Sequence, residues 1–229
     1  MSDTPSLTPT LTQYVARQPI FDADKAVFAY ELLYRNSANN AFPVGTSDEH
    51  ATSRLFFNTL MLVGAEKLTA HQLAFVNLST DALLDEFPKL LNPEHTVIEI
   101  VERTVNIAAV ASRIKALKGQ GYVFALDDYD GDEKWEPLLA LVSYIKIEAE
   151  EPIIKTNMRV KKLKRSYPHC KIIVERIETY DQFINLRDAG CDYFQGFFFA
   201  RPEMLTYSGV DPSKVTVFEL LKAIAKESL

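Results

Sequence analysis

The chain has 229 residues, of which 47% are hydrophobic and 24% are charged, with 25 Lys or Arg and 31 Asp or Glu. This composition is that of a globular protein and excludes a collagen-like or disordered one. The formal net charge of −6 argues against a protein that binds nucleic acid, which needs a basic face to displace counterions. Two cysteines, Cys170 and Cys191, are too few for a disulfide framework or a thiolate metal site.

The sequence shows neither a membrane span nor a secretory signal. No apolar run approaches the ~18 residues needed to cross a bilayer. The first residues, MSDTPSLTPTLTQ, lack the basic start and the apolar stretch of a signal peptide. Their Ser, Thr and Pro content predicts a mobile lead-in over residues 1–12. We therefore expect a cytoplasmic protein that makes no contact with a membrane.

Eight short apolar runs, rich in β-branched and aromatic residues, predict eight buried strands. The runs cover residues 14–20, 27–33, 73–77, 97–101, 123–127, 144–147, 171–174 and 193–199. A short turn at residues 22–25 lies between the first two runs, which predicts an antiparallel hairpin. The later runs alternate with longer segments, and this alternation predicts a parallel sheet.

Apolar residues at helical spacing fill several of the intervals between strands. The stripes lie within residues 53–63, 107–117, 154–165 and 183–189, and Gly119, Gly121 and Gly190 stand where helices should stop. One barrel-like α/β domain over residues 13–211 is the economical interpretation. Residues 212–229 carry a further helical stripe, which fits either the last helix of this barrel or the first helix of another domain.

A carboxylate, amide or amine stands near the end of almost every predicted strand. These residues are Glu31, Asn77, Glu99, Glu102, Asp127, Asp128, Lys146, Glu175 and Gln195. A buried charge without a partner is costly, and the strand ends of a parallel barrel converge on the face where such enzymes place their sites. A single polar residue at a strand end marks no more than the point where the strand leaves the core. Polar residues at the ends of seven strands in succession indicate a functional site.

The donor types restrict the ion that such a site would hold. Carboxylates and an amide are hard oxygen donors, which favour Mg²⁺, Mn²⁺ or Ca²⁺ over structural zinc. The neighbouring Asp127 and Asp128 could flank two cations, and two metals clamp the attacking and leaving oxygens of a phosphoester. Lys146 could orient a hydroxide or neutralise phosphate, and Glu175 could accept a proton.

These residues lie in motifs that resemble those of the EAL domains, which hydrolyse the bacterial second messenger cyclic di-GMP to linear pGpG. The resemblance extends from residue 18 to residue 202 and is most like the EAL part of EAL-HDOD signalling proteins. Its motifs are ELLYR at 31–35, VNLS at 76–79, EIVE at 99–102, LDDY at 126–129, IKI at 145–147, VERIET at 174–179 and FQG at 194–196. The signature E-x-L-x-R has Leu32 where Ala or Val is usual.

The resemblance implies a TIM-like (β/α)8 barrel with its first strand antiparallel, which hydrolyses cyclic di-GMP with Mg²⁺ or Mn²⁺. It also implies a homodimer or an HDOD partner domain, with the helix at 212–229 leading into that domain. It implies that the first ion is bound by Glu31, Asn77, Glu99 and Asp127, and that a second ion lies between Asp127 and Asp128. It implies catalytic roles for Lys146, Glu175 and Asp128. Substrate contacts are expected from Gln18, Arg35 and Gln195, and Glu102 is expected to anchor a loop.

The sequence departs from the family at two places. Residues 129–135 replace the family's F-G-T/S-G-Y-S-S loop with YDGDEKW. Arg176 stands where Gly is usual, and its charge is expected to lower the pKa of Glu175 and weaken it as a base. Three functions stay open: a phosphodiesterase, a cyclic di-GMP receptor or protein scaffold without turnover, and a glycosidase-like hydrolase. The last would need only a carboxylate pair and leaves Asn77 and Lys146 without a role.

Overall fold

The computed structural model of the chain describes residues 12–35 and 64–208. Its strands are β1 (Thr12–Phe21), β2 (Val27–Arg35), β3 (Leu73–Leu78), β4 (Thr96–Ile100), β5 (Val123–Leu126), β6 (Tyr144–Glu148), β7 (Lys171–Glu175), β8 (Tyr193–Phe194) and β9 (Glu203–Ser208). Its α-helices are α1 (Ala65–Leu68), α2 (Thr80–Leu84), α3 (Ile107–Lys118), α4 (Glu136–Leu139), α5 (Ile154–Ser166) and α6 (Tyr180–Asp188).

The first eight strands form a closed barrel. Strands β2 to β8 follow one another in chain order, and each is parallel to the next. Strand β1 closes the barrel because it pairs antiparallel with β2 on one side and with β8 on the other. The predicted TIM-like barrel with an antiparallel first strand is therefore confirmed.

Helices α3, α5 and α6 lie where the apolar stripes predict them. The side chain of Asn106 accepts a hydrogen bond from the backbone at the start of α3, and Thr179 forms a capping box with Gln182 at the start of α6, which satisfies amides that the helix leaves free. Gly121 and Gly190 have φ values of 93° and 95°, as expected for residues that end helices. Gly119 instead keeps a right-handed conformation.

Some sequence predictions fall on parts of the chain that the structure does not describe. These are the helical stripe at 53–63, the helix at 212–229 and the lead-in over 1–12, apart from Thr12, which begins β1. Within residues 12–35 and 64–208, no helix is long and apolar enough to cross a membrane.

The end of the barrel differs from the sequence prediction. Strand β8 stops at Phe194, so the prediction of a strand through residue 199 is wrong for its last residues. Gly196 has φ of 152°, and the amide of Phe199 donates to its carbonyl, which closes a turn. The aromatic residues at 197–199 therefore leave the strand, and Phe197 is 56% exposed.

Strand β9 was not predicted. It pairs antiparallel with the first half of β1, from Thr12 with Ser208 to Arg17 with Glu203. The guanidinium of Arg17 reinforces this pairing with a hydrogen bond of 2.8 Å to the carboxylate of Glu203. A third strand therefore extends the β1–β2 hairpin, on the opposite side of β1 from β2.

The turn at Gly196 yields a stability prediction. A Cβ at this position would lie 2.2 Å from the carbonyl oxygen of Ile177, a distance that only a backbone shift can relieve. We expect Gly196→Ala to lower the free energy of unfolding by about 3 kcal/mol or more. Urea denaturation followed by circular dichroism measures this loss.

Gly121 provides a matched control. It also has positive φ, but a Cβ there meets nothing within 4 Å. Gly121→Ala should therefore lower the free energy of unfolding only by the cost of the left-handed conformation, about 1–2 kcal/mol. Equal losses in the two variants would contradict a steric role for Gly196.

Candidate active site

The site follows from the two-residue period of the strands. Side chains alternate between the two faces of a strand, so residues two apart share a face. Ala29, Phe75, Val97, Ala125 and Ile173 belong to one apolar cluster. The polar residues Glu31, Asn77, Glu99, Asp127 and Glu175 stand two positions after them. The barrel interior therefore has an apolar layer with a polar layer above it, at the carboxyl ends of the strands.

The ammonium group of Lys146 lies at the centre of the polar layer. Its Nζ is 2.7 Å from Oε1 of Glu99, 2.9 Å from Oδ1 of Asp127 and 2.9 Å from Oε1 of Glu175. Glu31 is farther away, with its Oε1 at 3.6 Å. Burial lowers the pKa of Lys146, but the four carboxylates outweigh burial and raise this pKa well above its usual value. The lysine is therefore charged, and it links strands β2, β4, β5 and β7.

Two amide side chains orient the carboxylate of Glu31. Nδ2 of Asn77 donates to its Oε1 at 3.1 Å, and Nε2 of Gln195 donates to its Oε2 at 2.8 Å. Gln195 is only 2% exposed but lines the cavity above this layer, and its expected substrate-binding role stays a prediction. The structure thus brings Glu31, Asn77 and Gln195 into one cluster, as the sequence predicts.

The polar layer meets the requirements of a divalent-cation site. Glu31, Glu99 and Asp127 each offer a carboxylate oxygen within 4.8 Å of the others, and Asp127, Asp128 and Glu175 form a second such group. Oδ1 of Asn77 is buried and has no hydrogen-bond partner in the described part of the chain. One ammonium cannot balance four carboxylates, so the excess negative charge and the hard oxygen donors fit a divalent cation such as Mg²⁺, Mn²⁺ or Ca²⁺.

The acid groups of the site have raised pKa values. Burial, opposed by Lys146 and increased by neighbouring carboxylates, raises the pKa of Glu99 and of Glu175. Burial and the charge of Asp127 raise the pKa of Asp128 to about 6. Asp128 also has φ of 45°, a left-handed conformation that is uncommon for non-glycine residues, although Asp and Asn adopt it more often than most.

Arg176 does not act on Glu175 as the sequence predicts. Its guanidinium lies 2.6 Å from Oε1 of Glu148, on the neighbouring strand, and burial raises the pKa of Glu175 instead of lowering it. The expectation of a lowered pKa is therefore wrong, because burial dominates the environment of Glu175 and the guanidinium of Arg176 pairs with Glu148 instead.

A cavity of about 480 Å³ opens above the polar layer, within the usual range of ~300–1,000 Å³ for small-molecule sites. Gln18 lines this cavity, and its Nε2 donates to the carbonyl of Ala200 at 3.3 Å. Arg35 is the last residue of β2, and its side chain lies outside the described residues. Glu102 is exposed after β4 with its carboxylate 3.5 Å from Arg103, so its predicted role as a loop anchor stays a prediction.

The unusual loop at residues 129–135 has internal support. Trp135 is buried, and its Nε1 donates to Oδ1 of Asp130 at 3.1 Å. The amides of Asp132 and Lys134 also bond to aspartate side chains in the loop. The sequence shows that this loop departs from the family, but the buried tryptophan that fixes its shape becomes evident only in the structure.

The central lysine yields a second prediction. Lys146→Met keeps the length of the side chain but leaves the buried carboxylates without their cation, so we expect a loss of about 3–5 kcal/mol in unfolding free energy near neutral pH. The folded pKa values of Glu99 and Glu175 should rise further above their unfolded values. The loss should then shrink as the pH falls, because the folded variant takes up protons that the unfolded chain does not. Urea denaturation of the variant and the wild type at several pH values measures this difference in unfolding free energy.

Lys171→Met is the matched control. Lys171 forms an exposed pair with Asp192 at 3.1 Å, and such pairs contribute only about 0–1 kcal/mol. A loss for Lys146→Met as small as that of Lys171→Met, or one that grows as the pH falls, would contradict a structural role for the central charge.

Two curated relatives match nearly the whole chain. The uncharacterized protein YuxH of Bacillus subtilis (strain 168) is 36% identical over 219 residues, which are 93% of this chain and 53% of the relative. The cyclic di-GMP phosphodiesterase CdgJ of Vibrio cholerae is 32% identical over 216 residues, or 94% of this chain and 50% of the relative. The chain thus spans about half the length of these relatives. No protein-family model matches it.

Solved structures share the barrel. A standalone EAL protein of Vibrio cholerae O395, bound to c-di-GMP, has a TM-score of 0.66 at 20% identity over 85% of this chain and 93% of its own. The manganese and cy-diGMP complex of Klebsiella pneumoniae BlrP1 has a TM-score of 0.66 at 22% identity over 90% of this chain and 61% of its own. The resemblance seen in the sequence motifs is therefore confirmed: the chain has the fold of the EAL domains.

Proposed function

We propose that the chain is an EAL domain that hydrolyses cyclic di-GMP to linear pGpG with Mg²⁺ or Mn²⁺. The observation that carries this proposal is the inward polar layer beside an open cavity, in which Glu31, Glu99 and Asp127 offer carboxylate oxygens within 4.8 Å of one another. Oδ1 of Asn77, in the same layer, has no hydrogen-bond partner among the described residues. The relative CdgJ is named as a cyclic di-GMP phosphodiesterase, and two solved neighbours contain the dinucleotide, which supports the choice of substrate.

The residues of the polar layer would divide into two cation sites. Glu31, Asn77, Glu99 and Asp127 would hold the first cation, and Asp128 would join Asp127 at the second. Bound divalent cations neutralise phosphoryl oxygens and lower the pKa of water toward neutrality. The chain's contribution is to fix these oxygens in place, which Gln195 does by its hydrogen bond to Glu31.

Glu175 and Lys146 would serve the attacking water. Glu175 lies beside Asp127 and Asp128, and its raised pKa suits a group that accepts a proton near neutral pH. Lys146 holds the carboxylate of Glu175 at 2.9 Å and so orients it. Gln18 on the cavity wall and Arg35 at the end of β2 would contact the dinucleotide.

A receptor that binds cyclic di-GMP without cleaving it is the second candidate. The observation in its favour is the loop at residues 129–135. Its sequence departs from the family's pattern, and Trp135 fixes its shape through a hydrogen bond to Asp130.

We also propose a cytoplasmic location, and a homodimer or an HDOD partner domain in the full-length protein.

A hydrolysis assay tests the proposal. Purified protein is incubated with cyclic di-GMP and Mn²⁺ or Mg²⁺, and pGpG is followed by chromatography. We expect turnover that EDTA abolishes, and a decrease of about 100-fold or more in Asp127→Asn, because this carboxylate belongs to both cation sites.

Asp188→Asn is the control, because Asp188 is exposed and pairs with Arg187 on α6, away from the cavity. Its activity should equal that of the wild type. Full activity of Asp127→Asn would contradict the site, whereas an inactive wild type that binds the dinucleotide would establish the receptor.

A further inference from the structure

Arg176 has a strained backbone at the end of β7. Its φ of 56° is the left-handed conformation, which costs an L-residue free energy that glycine avoids. Among the described residues that line the cavity, only Arg176 and Asp128 are non-glycine residues with positive φ. Strain of this kind persists at functional sites, where a side chain is held in a particular direction.

The side chain of Arg176 is an exposed cation among the described residues that line the cavity. Of the described lining residues, Lys146 and Arg176 are the positively charged ones, and Lys146 is buried among its carboxylates. The side chain of Arg176 is 69% exposed and lies against Glu148. An exposed ion pair of this kind is worth little, so an anionic ligand can take the guanidinium from Glu148 at small cost.

We propose that Arg176 binds the phosphodiester of the substrate that is not cleaved, and that Glu148 holds the guanidinium at the cavity rim until the substrate arrives. This inference rests on the proposed function. A cyclic dinucleotide has two phosphodiesters, and when one of them lies at the cation sites, the other needs a partner elsewhere in the cavity. Arginine suits this role because its planar guanidinium donates two parallel hydrogen bonds to phosphate oxygens.

Binding of cyclic di-GMP by calorimetry tests the proposal, with Ca²⁺ as the cation and chromatography to verify that the ligand stays intact. We expect Arg176→Gly to bind about tenfold more weakly, as for the loss of one charge-assisted hydrogen-bonded contact. Its affinity should also depend less on salt concentration. Glycine fits the left-handed position, so the thermal midpoint should not fall below that of the wild type.

Glu148→Gln separates a binding role from a structural one. The substitution frees the guanidinium, so the affinity should equal or exceed that of the wild type. Equal weakening in Glu148→Gln and Arg176→Gly would mean that the ion pair only supports the rim, and would overturn the proposal.

Arg187→Ala is the control for loss of an exposed arginine, since Arg187 pairs with Asp188 outside the cavity. It should bind as the wild type does. Unchanged affinity or unchanged salt dependence in Arg176→Gly overturns the inference alone. Absence of binding by the wild type overturns the proposed function, and this inference with it.

Discussion

The structure depends on the burial of one ammonium group among carboxylates from four other strands. Bringing these charges out of water is costly, and the cost is offset only where Lys146 meets Glu99, Asp127 and Glu175 at short distance. That geometry requires the register of β2, β4, β5, β6 and β7, which carry these five residues. A slip of one residue would turn a carboxylate toward the helices and an apolar side chain toward the ammonium. The charge cluster therefore selects one register, and the closed barrel in turn holds the cluster together.

Much of the site could be predicted from the sequence because strands impose a simple rule. An apolar residue followed two positions later by a polar one, as in Ala125 and Asp127, places both on one face, and a parallel barrel brings those faces together. The partner of each charge could not be predicted. Arg176 follows Glu175 in the chain, yet its side chain reaches Glu148 on another strand, because sequence neighbours at a strand end diverge. The turn at Gly196 likewise depends on the backbone of a distant segment.

Two adjacent features of the site share a physical origin. Asp128 and Arg176 both follow a strand and both have left-handed backbones, and both line the cavity although each comes directly after a residue that faces the barrel interior. In both cases local backbone strain accompanies a charged group at the cavity. The polar layer offers oxygen atoms of the kind that divalent cations bind, and these two residues place further charge around it.

The pairing of β1 with β9 has a consequence for how the chain folds. Arg17 and Glu203, which are joined by a hydrogen bond, are 186 positions apart in the sequence. The barrel closes through the same strand β1, which must find β8 near the other end of the domain. Such contacts carry a large loop-closure entropy and slow the search for the native state. During synthesis, β1 can therefore complete these pairings only after β8 and β9 have left the ribosome.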